Sequence, residues 1–439
     1  MREGAAVPVK AKQAPSIQTG NRDWIDRAIW TERMLAALDN GVKGNKWFSL
    51  IDKVHRPQTL EAAWQQVKAN KGAAGIDGQS IERFAAGAER YLGELAEDLK
   101  EGRSRAAPVR RVEIAKAGGK TRPLGIPTVK DRIVQAAVKQ VIEPIFEQEF
   151  LSVSYGFRPG RGCKDALREV DEWLKKGYTH VVDADLKSYF DSIPHARLKE
   201  RIEERISDGR LLELLAGWLR QDIVHGLEKW TPTGGTPQGA VISPLLANIY
   251  LHPLDVHMTR QGYVMVRYAD DFVILCPTAQ AAGKALEEIK AWVEANGLTL
   301  HPDKTHLGDC RIEGQGFEFL GYRFEAGKRW VRKKSLTALK DKVRALTRRT
   351  RGDRLGRIIA DLNPMLRGWY GYFKHAQGRV FQTLDALIRR RLRALLRKQE
   401  KRPGFGRCYA DHCRWPNAYF AAAGLFTMVE ARQQASQSR

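Results

Sequence analysis

The sequence predicts an α+β architecture followed by an all-helical region, and three observations carry that reading. Apolar runs with strand character, Thr179 to Asp185 and Tyr263 to Cys276, are not followed one-for-one by crossover helices, which points to a sheet with helices packed on one face. Further on, Leu336, Leu339, Val343 and Leu346 repeat at three and four, as do Leu384, Leu387, Ile388, Leu392, Leu395 and Leu396, the spacing of amphipathic helices. Charge separates the two regions as well. Arg323 to Arg402 holds 25 Lys and Arg against 6 Asp and Glu, a net of +19 out of the chain's +23.

Taken in order, the first element is a cationic hairpin. Val109 to Ile114 alternates as a strand, Ala117-Gly118-Gly119-Lys120 makes a turn, and Thr121 to Ile126 leads away. A helix follows with Ile133, Val134, Ala137, Val138, Val141 and Ile142 on one face, and Pro144 predicts its end because proline offers no N–H to the helical ladder. After the Thr179–Asp185 strand a helix starts near Pro194, and Asn248 sits in a helical run that begins around Ser243. Tyr263 to Cys276 reads as a hairpin, and Ala281 to Ala295 as a helix. The ends, Met1 to Thr19 and Glu430 to Arg439, are polar or rich in small residues and predict frayed termini.

Composition bounds the function. The 439 residues predict about two to four domains, and 43% hydrophobic content excludes global disorder. A charge of +23 costs self-repulsion, and its usual reason is a polyanionic partner. Arg389, Arg390, Arg391 and Arg393 fill the positions between apolar residues of the last helical run, so they are expected to bind nucleic-acid phosphates. Five cysteines, an odd number, fit a reducing cytosol better than a disulfide framework. No secretory signal opens the chain, and its longest mostly apolar stretch, Ala240 to Leu251, is too short to span a bilayer. The expectation is a cytoplasmic protein with no membrane partner.

Chemistry concentrates at Tyr268-Ala269-Asp270-Asp271, set between two apolar runs. Two adjacent carboxylates at the tip of a buried hairpin repel each other and lose hydration, and folding alone gives no reason for them. A divalent cation does, because Mg²⁺ takes hard oxygen ligands. A third carboxylate comes from the strand containing Asp183 and Asp185, which share a face by alternation. Three aspartates on two strands suit two-metal phosphoryl transfer.

Further motifs fall in order around these residues: Asp185-Leu186-Lys187-Ser188-Tyr189-Phe190, Thr236-Pro237-Gln238-Gly239, Leu300-His301-Pro302-Asp303-Lys304-Thr305 and Phe319-Leu320-Gly321-Tyr322. The ordered set resembles the palm of reverse transcriptases. Asn70 to Gly78, Lys120 to Pro127, Ser154 to Gly162 and Gly368-Trp369-Tyr370-Gly371-Tyr372-Phe373 narrow the resemblance to reverse transcriptases encoded by bacterial group II introns, over about Lys46 to Tyr419.

The resemblance implies a right-hand polymerase of fingers and palm, then a helical thumb or maturase domain. The expected boundaries are 1–70 for an N-terminal extension, 71–325 for fingers and palm, 326–402 for the thumb/maturase, and 403–439 for a short basic and aromatic tail. Asp185, with Asp183 as runner-up, would join Asp270 and Asp271 in binding two Mg²⁺ ions; Asp185 is preferred because Phe190 follows at the family's spacing to its sugar-gating aromatic. Lys116 and Arg122 would meet the triphosphate of the incoming dNTP, Gln238 would line the nucleotide pocket, and Lys304 would lie near the phosphates. The implied partners are intron RNA, an RNA template with a DNA primer, target DNA and dNTPs. The 37 residues after Arg402 are too few for the nuclease domain some relatives carry, and Cys408, His412 and Cys413 offer at most three of the four ligands a structural zinc site needs. Two other readings stand beside this one: a reverse transcriptase of a retron, defence or domesticated system, and a splicing-only RNA-binding maturase.

Overall fold

The computed structural model describes residues 22–115 and 121–437. Lys116 and the expected turn at 117–120 lie outside them, as does the stretch Met1 to Thr19. In chain order the strands are β1 (Val109–Ala115), β2 (Thr121–Ile126), β3 (His180–Asp185), β4 (Ile223–His225), β5 (Glu228–Trp230) and β6 (Val264–Tyr268). After them come β7 (Asp271–Cys276), β8 (His306–Asp309), β9 (Phe317–Phe319), β10 (Tyr322–Glu325) and β11 (Lys328–Val331). They form sheets of order β2-β1-β4-β5, β6-β7-β3-β8 and β11-β10-β9, with helices between, so the α+β class holds. Among the described residues no helix is long and apolar enough to cross a membrane, and no disulfide forms.

The chain divides into two compact units. Unit one takes the described residues up to Glu169, then Ala184–Ile274 and Gly283–Thr305; unit two takes Val170–Asp183, Leu275–Ala282 and the residues from His306 on.

Within unit one the cationic hairpin is present, with β1 and β2 antiparallel and Arg122 opposite Ile114. β4 adds to β1 in parallel and returns as β5, a second hairpin too short to leave a periodic signal. The next helix starts where Thr128 accepts the Asp131 N–H at 3.0 Å, a side-chain cap. It runs from Val129 to Glu147, through Pro144 rather than ending there. The carbonyl that Pro144 leaves without its helical donor belongs to Gln140, four residues back, and the Trp30 indole N–H donates to that oxygen at 3.1 Å. A contact 110 residues away in sequence thus removes the reason for the helix to stop. The helices at His195–Glu203 and Ser243–Arg260 begin where the sequence places them.

In unit two three long helices follow β11, Lys333–Leu346, Leu355–Phe373 and Gly378–Gln399. The last buries Leu384, Ile388, Leu392 and Leu395 of the stripe read from spacing, together with Phe381, and leaves Leu387 and Leu396 half-buried. Two motifs meet here. The Tyr372 hydroxyl donates to the Leu320 carbonyl at 2.7 Å, and the Tyr322 hydroxyl donates to the Tyr372 carbonyl at 2.6 Å. The end of the chain is not frayed over its described part: Met428–Gln437 is a helix. Its first N–H groups, those of Met428 and Val429, donate to the buried Asp385 carboxylate at 3.2 and 3.0 Å, and Arg432 donates to the Ala376 carbonyl. A carboxylate at a helix start satisfies donors that the helix itself cannot.

Candidate active site

The turn carrying Asp270 is held from below by a buried arginine. Arg267, on β6, is fully shielded from solvent and forms an ion pair with Asp255 of the helix Ser243–Arg260, through contacts of 2.7 and 2.5 Å. Nη1 donates to Asn248 Oδ1 at 3.0 Å and the carbonyl of Ala269 at 2.9 Å, and Nη2 donates also to Ser154 Oγ at 2.8 Å. Burial alone would lower the guanidinium's affinity for its proton, but the Asp255 charge overrides it and the net shift is upward. Asn248 in turn donates to the Gly156 carbonyl at 2.8 Å. Gly156 packs so tightly on Tyr268 and Ala269 that a Cβ there would collide with their backbone. Ala269 itself has φ 60°, a left-handed conformation for a non-glycine residue, and the Arg267 bond to its carbonyl helps over-determine it.

Asp185, at the end of β3, is fixed by the segment that follows Leu298. His301 N–H donates to the Asp185 carbonyl at 2.7 Å, Lys187 N–H to Thr299 at 2.8 Å, and Leu186 bridges Leu300. That geometry brings Lys304 Nζ to 2.8 Å from Asp185 Oδ2. Asp270 is half-buried, and its pKa is raised above the ordinary carboxylate value. Burial is the main cause and the Asp185 charge adds to it, while Lys304 and Arg267 pull the other way. Asp185 and Asp270 are thus electrostatic neighbours. Asp271 opens β7, half-buried. Asp183 is buried, with Oδ2 3.8 Å from His306 Nε2.

No group of three His, Cys, Asp or Glu side chains is gathered closely enough to ligate one ion among the described residues. The donor set nevertheless suits a hard divalent cation. It is all oxygen, and a bound cation would offset both the burial and the Asp185 repulsion that raise Asp270.

Three motifs far apart in sequence are tied together by hydrogen bonds. The Gly125 N–H, next to the Arg122-Pro123-Leu124 run, donates to the Gln238 carbonyl at 2.6 Å. The Thr236 N–H donates to the Phe190 carbonyl at 2.6 Å, and the Gly235 N–H to Ile193 at 2.8 Å. Gly235, at φ 87°, has no room for a Cβ, which would lie 2.7 Å from the Asp191 Cα. Tyr189 is buried and its hydroxyl donates to Ala247 at 2.7 Å, while Phe190 is half-exposed beside it. The side-chain nitrogen of Gln238 donates to Asp191 Oδ2 at 3.1 Å. Arg122 is exposed on β2.

The sequence reading missed Asp191, Arg267, Asp255 and Asn248. Asp191 could have been found from its place next to Phe190. Arg267 left no signal, since a charged residue in a strand reads as solvent-facing.

In unit two the four arginines divide. Arg390 is exposed and Arg389 half-buried. Arg391 donates to Thr347 Oγ1 at 2.6 Å and to the Thr347 and Arg344 carbonyls at 3.0 and 3.2 Å. Arg393, 2% exposed, donates to the Trp415 carbonyl at 2.8 Å and Asn417 Oδ1 at 2.9 Å. Arg393 therefore presents no charge to a surface phosphate, a correction to the expectation for this run: helices after residue 402 cover that face. Exposed cations remain at Lys333, Lys334, Lys342, Arg348, Arg354 and Arg357. Cys408 donates its thiol to Asp411 Oδ2 at 3.1 Å.

Comparison with known proteins adds the family. Residues 114–324 match the family described as reverse transcriptase (RNA-dependent DNA polymerase), and residues 336–413 match the group II intron maturase-specific domain. Protein YkfC of Escherichia coli is 34% identical over 66% of this chain and 85% of its own length. The group II intron-encoded protein LtrA of Lactococcus lactis is 39% identical over 46% of this chain, which is 33% of LtrA. An uncharacterized 91 kDa protein in the cob intron of Schizosaccharomyces pombe is 37% identical over 44% of this chain and 24% of its own. The alignments with these last two span only a third or less of the relative. The family uses divalent metal ions, and its two domains bind RNA and DNA. With the aspartates and both domain matches in one chain, this protein belongs to the group II intron reverse transcriptases, RNA-directed DNA polymerases that carry a maturase domain.

Proposed function

We propose that this chain binds a group II intron RNA, assists its splicing and copies it into DNA, with Asp185, Asp270 and Asp271 holding two Mg²⁺ ions. The observation that carries the reading is that Asp185 and Asp270 are electrostatic neighbours in the same unit in which three separate motifs are tied together by hydrogen bonds. When bound, the metal would neutralise charge on the reacting phosphate oxygens and acidify the primer 3′-hydroxyl. The protein's own part is placement. Arg267 holds the turn that aims Asp270, and the raised pKa of Asp270 gives its charged form a reason to seek a cation. Phe190 would press on C2′ of the incoming sugar and reject a ribose hydroxyl. Arg122, with Lys116, would meet the triphosphate, and Lys304 would give a proton to the leaving pyrophosphate. The exposed cations of Lys333–Leu346 and its neighbours would track intron and primer–template phosphates, and target DNA would use the same electrostatics. The work would be done in the cytoplasm, at the nucleoid during mobility.

Asp270→Asn and Asp271→Asn are expected to abolish Mg²⁺-dependent cDNA synthesis on a primed RNA template while RNA affinity changes little. Extension by the double variant at the wild-type rate would overturn the assignment. The maturase-specific match favours an intron role over a retron or defence role. A group II ribozyme RNA flanking the reading frame is the expected finding, and its absence would count against the intron role while leaving the polymerase in place.

A further inference from the structure

We infer that Asp191 is a positioning residue: it locks the side-chain amide of Gln238 one way round, so that the amide oxygen is the group offered to a nucleotide's sugar hydroxyl. The inference rests on the polymerase reading given above.

Asp191 follows Phe190 directly, in the short helix Tyr189–Ser192. Its Oδ2 accepts from Gln238 Nε2 at 3.1 Å. An ionised carboxylate only accepts hydrogen bonds, so it can meet a glutamine amide by the nitrogen alone. Without that partner the amide could rotate by half a turn and offer N–H instead. The main chains on both sides are already fixed. The Gln238 carbonyl accepts from Gly125, the Phe190 carbonyl accepts from Thr236, and the Ser243 hydroxyl donates to Pro237 at 2.9 Å. The Asp191 main chain lies against Gly235, where no side chain fits, while the Asp191 carboxylate is on the exposed side with Gln238 as its partner. The remaining freedom is the amide's own rotation, and Asp191 removes it. Gln238 Oε1 takes no protein donor among the described residues, which leaves an acceptor beside the half-exposed Phe190. A sugar hydroxyl is a donor of matching chemistry. Two sources exist, the 3′-hydroxyl of the incoming nucleotide and the 2′-hydroxyl of the template ribose.

The test uses the full chain and steady-state single-nucleotide incorporation. Asp191→Leu removes the acceptor, whereas Asp191→Asn keeps one oxygen that can take the Gln238 N–H. For Asp191→Leu, KM for dTTP should rise about tenfold with kcat within about twofold, the effect of losing one oriented hydrogen bond. Asp191→Asn should stay within about threefold of wild type. If the 3′-hydroxyl is the partner, Asp191→Leu loses most of the preference for dTTP over ddTTP; if the template is, it loses preference for an RNA over a DNA template. Adding Asp191→Leu to Gln238→Ala should cost nothing further, because the two act as a unit. Equal losses for dTTP and ddTTP on both templates, or additive losses with Gln238→Ala, would overturn the proposal. Calorimetric titration of dTTP and ddTTP into the protein bound to a template with a 3′-dideoxy-terminated primer reads the same preferences without turnover. A wild-type protein that binds dTTP selectively but never extends a primer would thus refute the polymerase reading and not this one.

Discussion

Arg267 and Asp255, twelve residues apart in sequence, form an ion pair in which neither side chain is exposed to solvent. Such a pair costs hydration on both sides, and its value shows when one partner is removed. Arg267→Met should destabilise the protein by about 3 to 5 kcal/mol, because it leaves Asp255 buried without its cation and frees the Ala269 carbonyl. Arg267→Met with Asp255→Leu should recover part of that loss. Denaturant unfolding measures both, and equal stability of the single and double variants would mean that Asp255 finds another partner. The double variant should still lose polymerase activity, since the turn loses its anchor.

Phe190→Val should admit ribonucleotides. Phe190 stands beside the buried Tyr189 with its backbone tied to Thr236, so shortening the ring opens space without moving the backbone. Incorporation of rTTP relative to dTTP is expected to rise by about one to two orders of magnitude, roughly the release of a 1.4–2.8 kcal/mol clash. An unchanged ratio places the sugar gate elsewhere.

Arg390 and Arg393 should behave oppositely although they lie three residues apart. Arg390→Gln removes an exposed charge: RNA affinity should weaken and the slope of log K against log salt should fall by about 0.7 to 0.9, with stability unchanged. Arg393→Gln removes buried bonds to Trp415 and Asn417 and should cost about 1 to 3 kcal/mol of stability, with the salt slope unchanged. Filter binding across a salt series, set beside thermal unfolding, reads both. A swapped pattern would refute the assignment of the two roles.

Asp131 makes stability depend on pH. It is buried and accepts from the Thr128 hydroxyl at 2.7 Å and the Ala107 N–H at 3.3 Å. Burial nevertheless pushes its pKa up from 3.8 to about 6. Because the folded value lies above the unfolded one, its contribution is complete below about pH 3.8 and is lost as pH rises through about 6. Asp131→Asn, which cannot titrate, should flatten that dependence. Between about pH 5 and pH 7.5 the wild type should lose about 1.4 kcal/mol relative to the variant. Parallel urea titrations that show no difference in slope would mean that the carboxyl is ionised throughout.

The strands and the aspartate pair were legible because their signals are local: alternating apolar residues and two adjacent carboxylates that a folded hairpin would not otherwise keep. What escaped depends on distant partners. Pro144 reads as a stop until Trp30 supplies the missing donor, and Glu430 to Gln437 reads as loose until Asp385 receives the first amides of its helix. Arg393 carries the same letter as Arg390, yet Trp415 and Asn417 bury it. The strands β4, β5 and β9 to β11 span three or four residues, too few for any period to show.

The way the two units draw on the chain bears on how the protein is made. Unit one gathers three separate stretches and is complete only once Thr305 has been synthesised. Asp185 leaves the ribosome 119 residues before Lys304, the ammonium that sits against its carboxylate. At about 5–20 residues per second, that interval lasts roughly 6 to 24 s. During it, the strand bearing Asp185 waits without the segment that fixes its carbonyl and its charge. A nascent chain halted before Thr305 cannot close unit one, whatever its local propensities, so Asp185 gains its partners only when the third stretch emerges, while the residues from His306 on are still to be decoded.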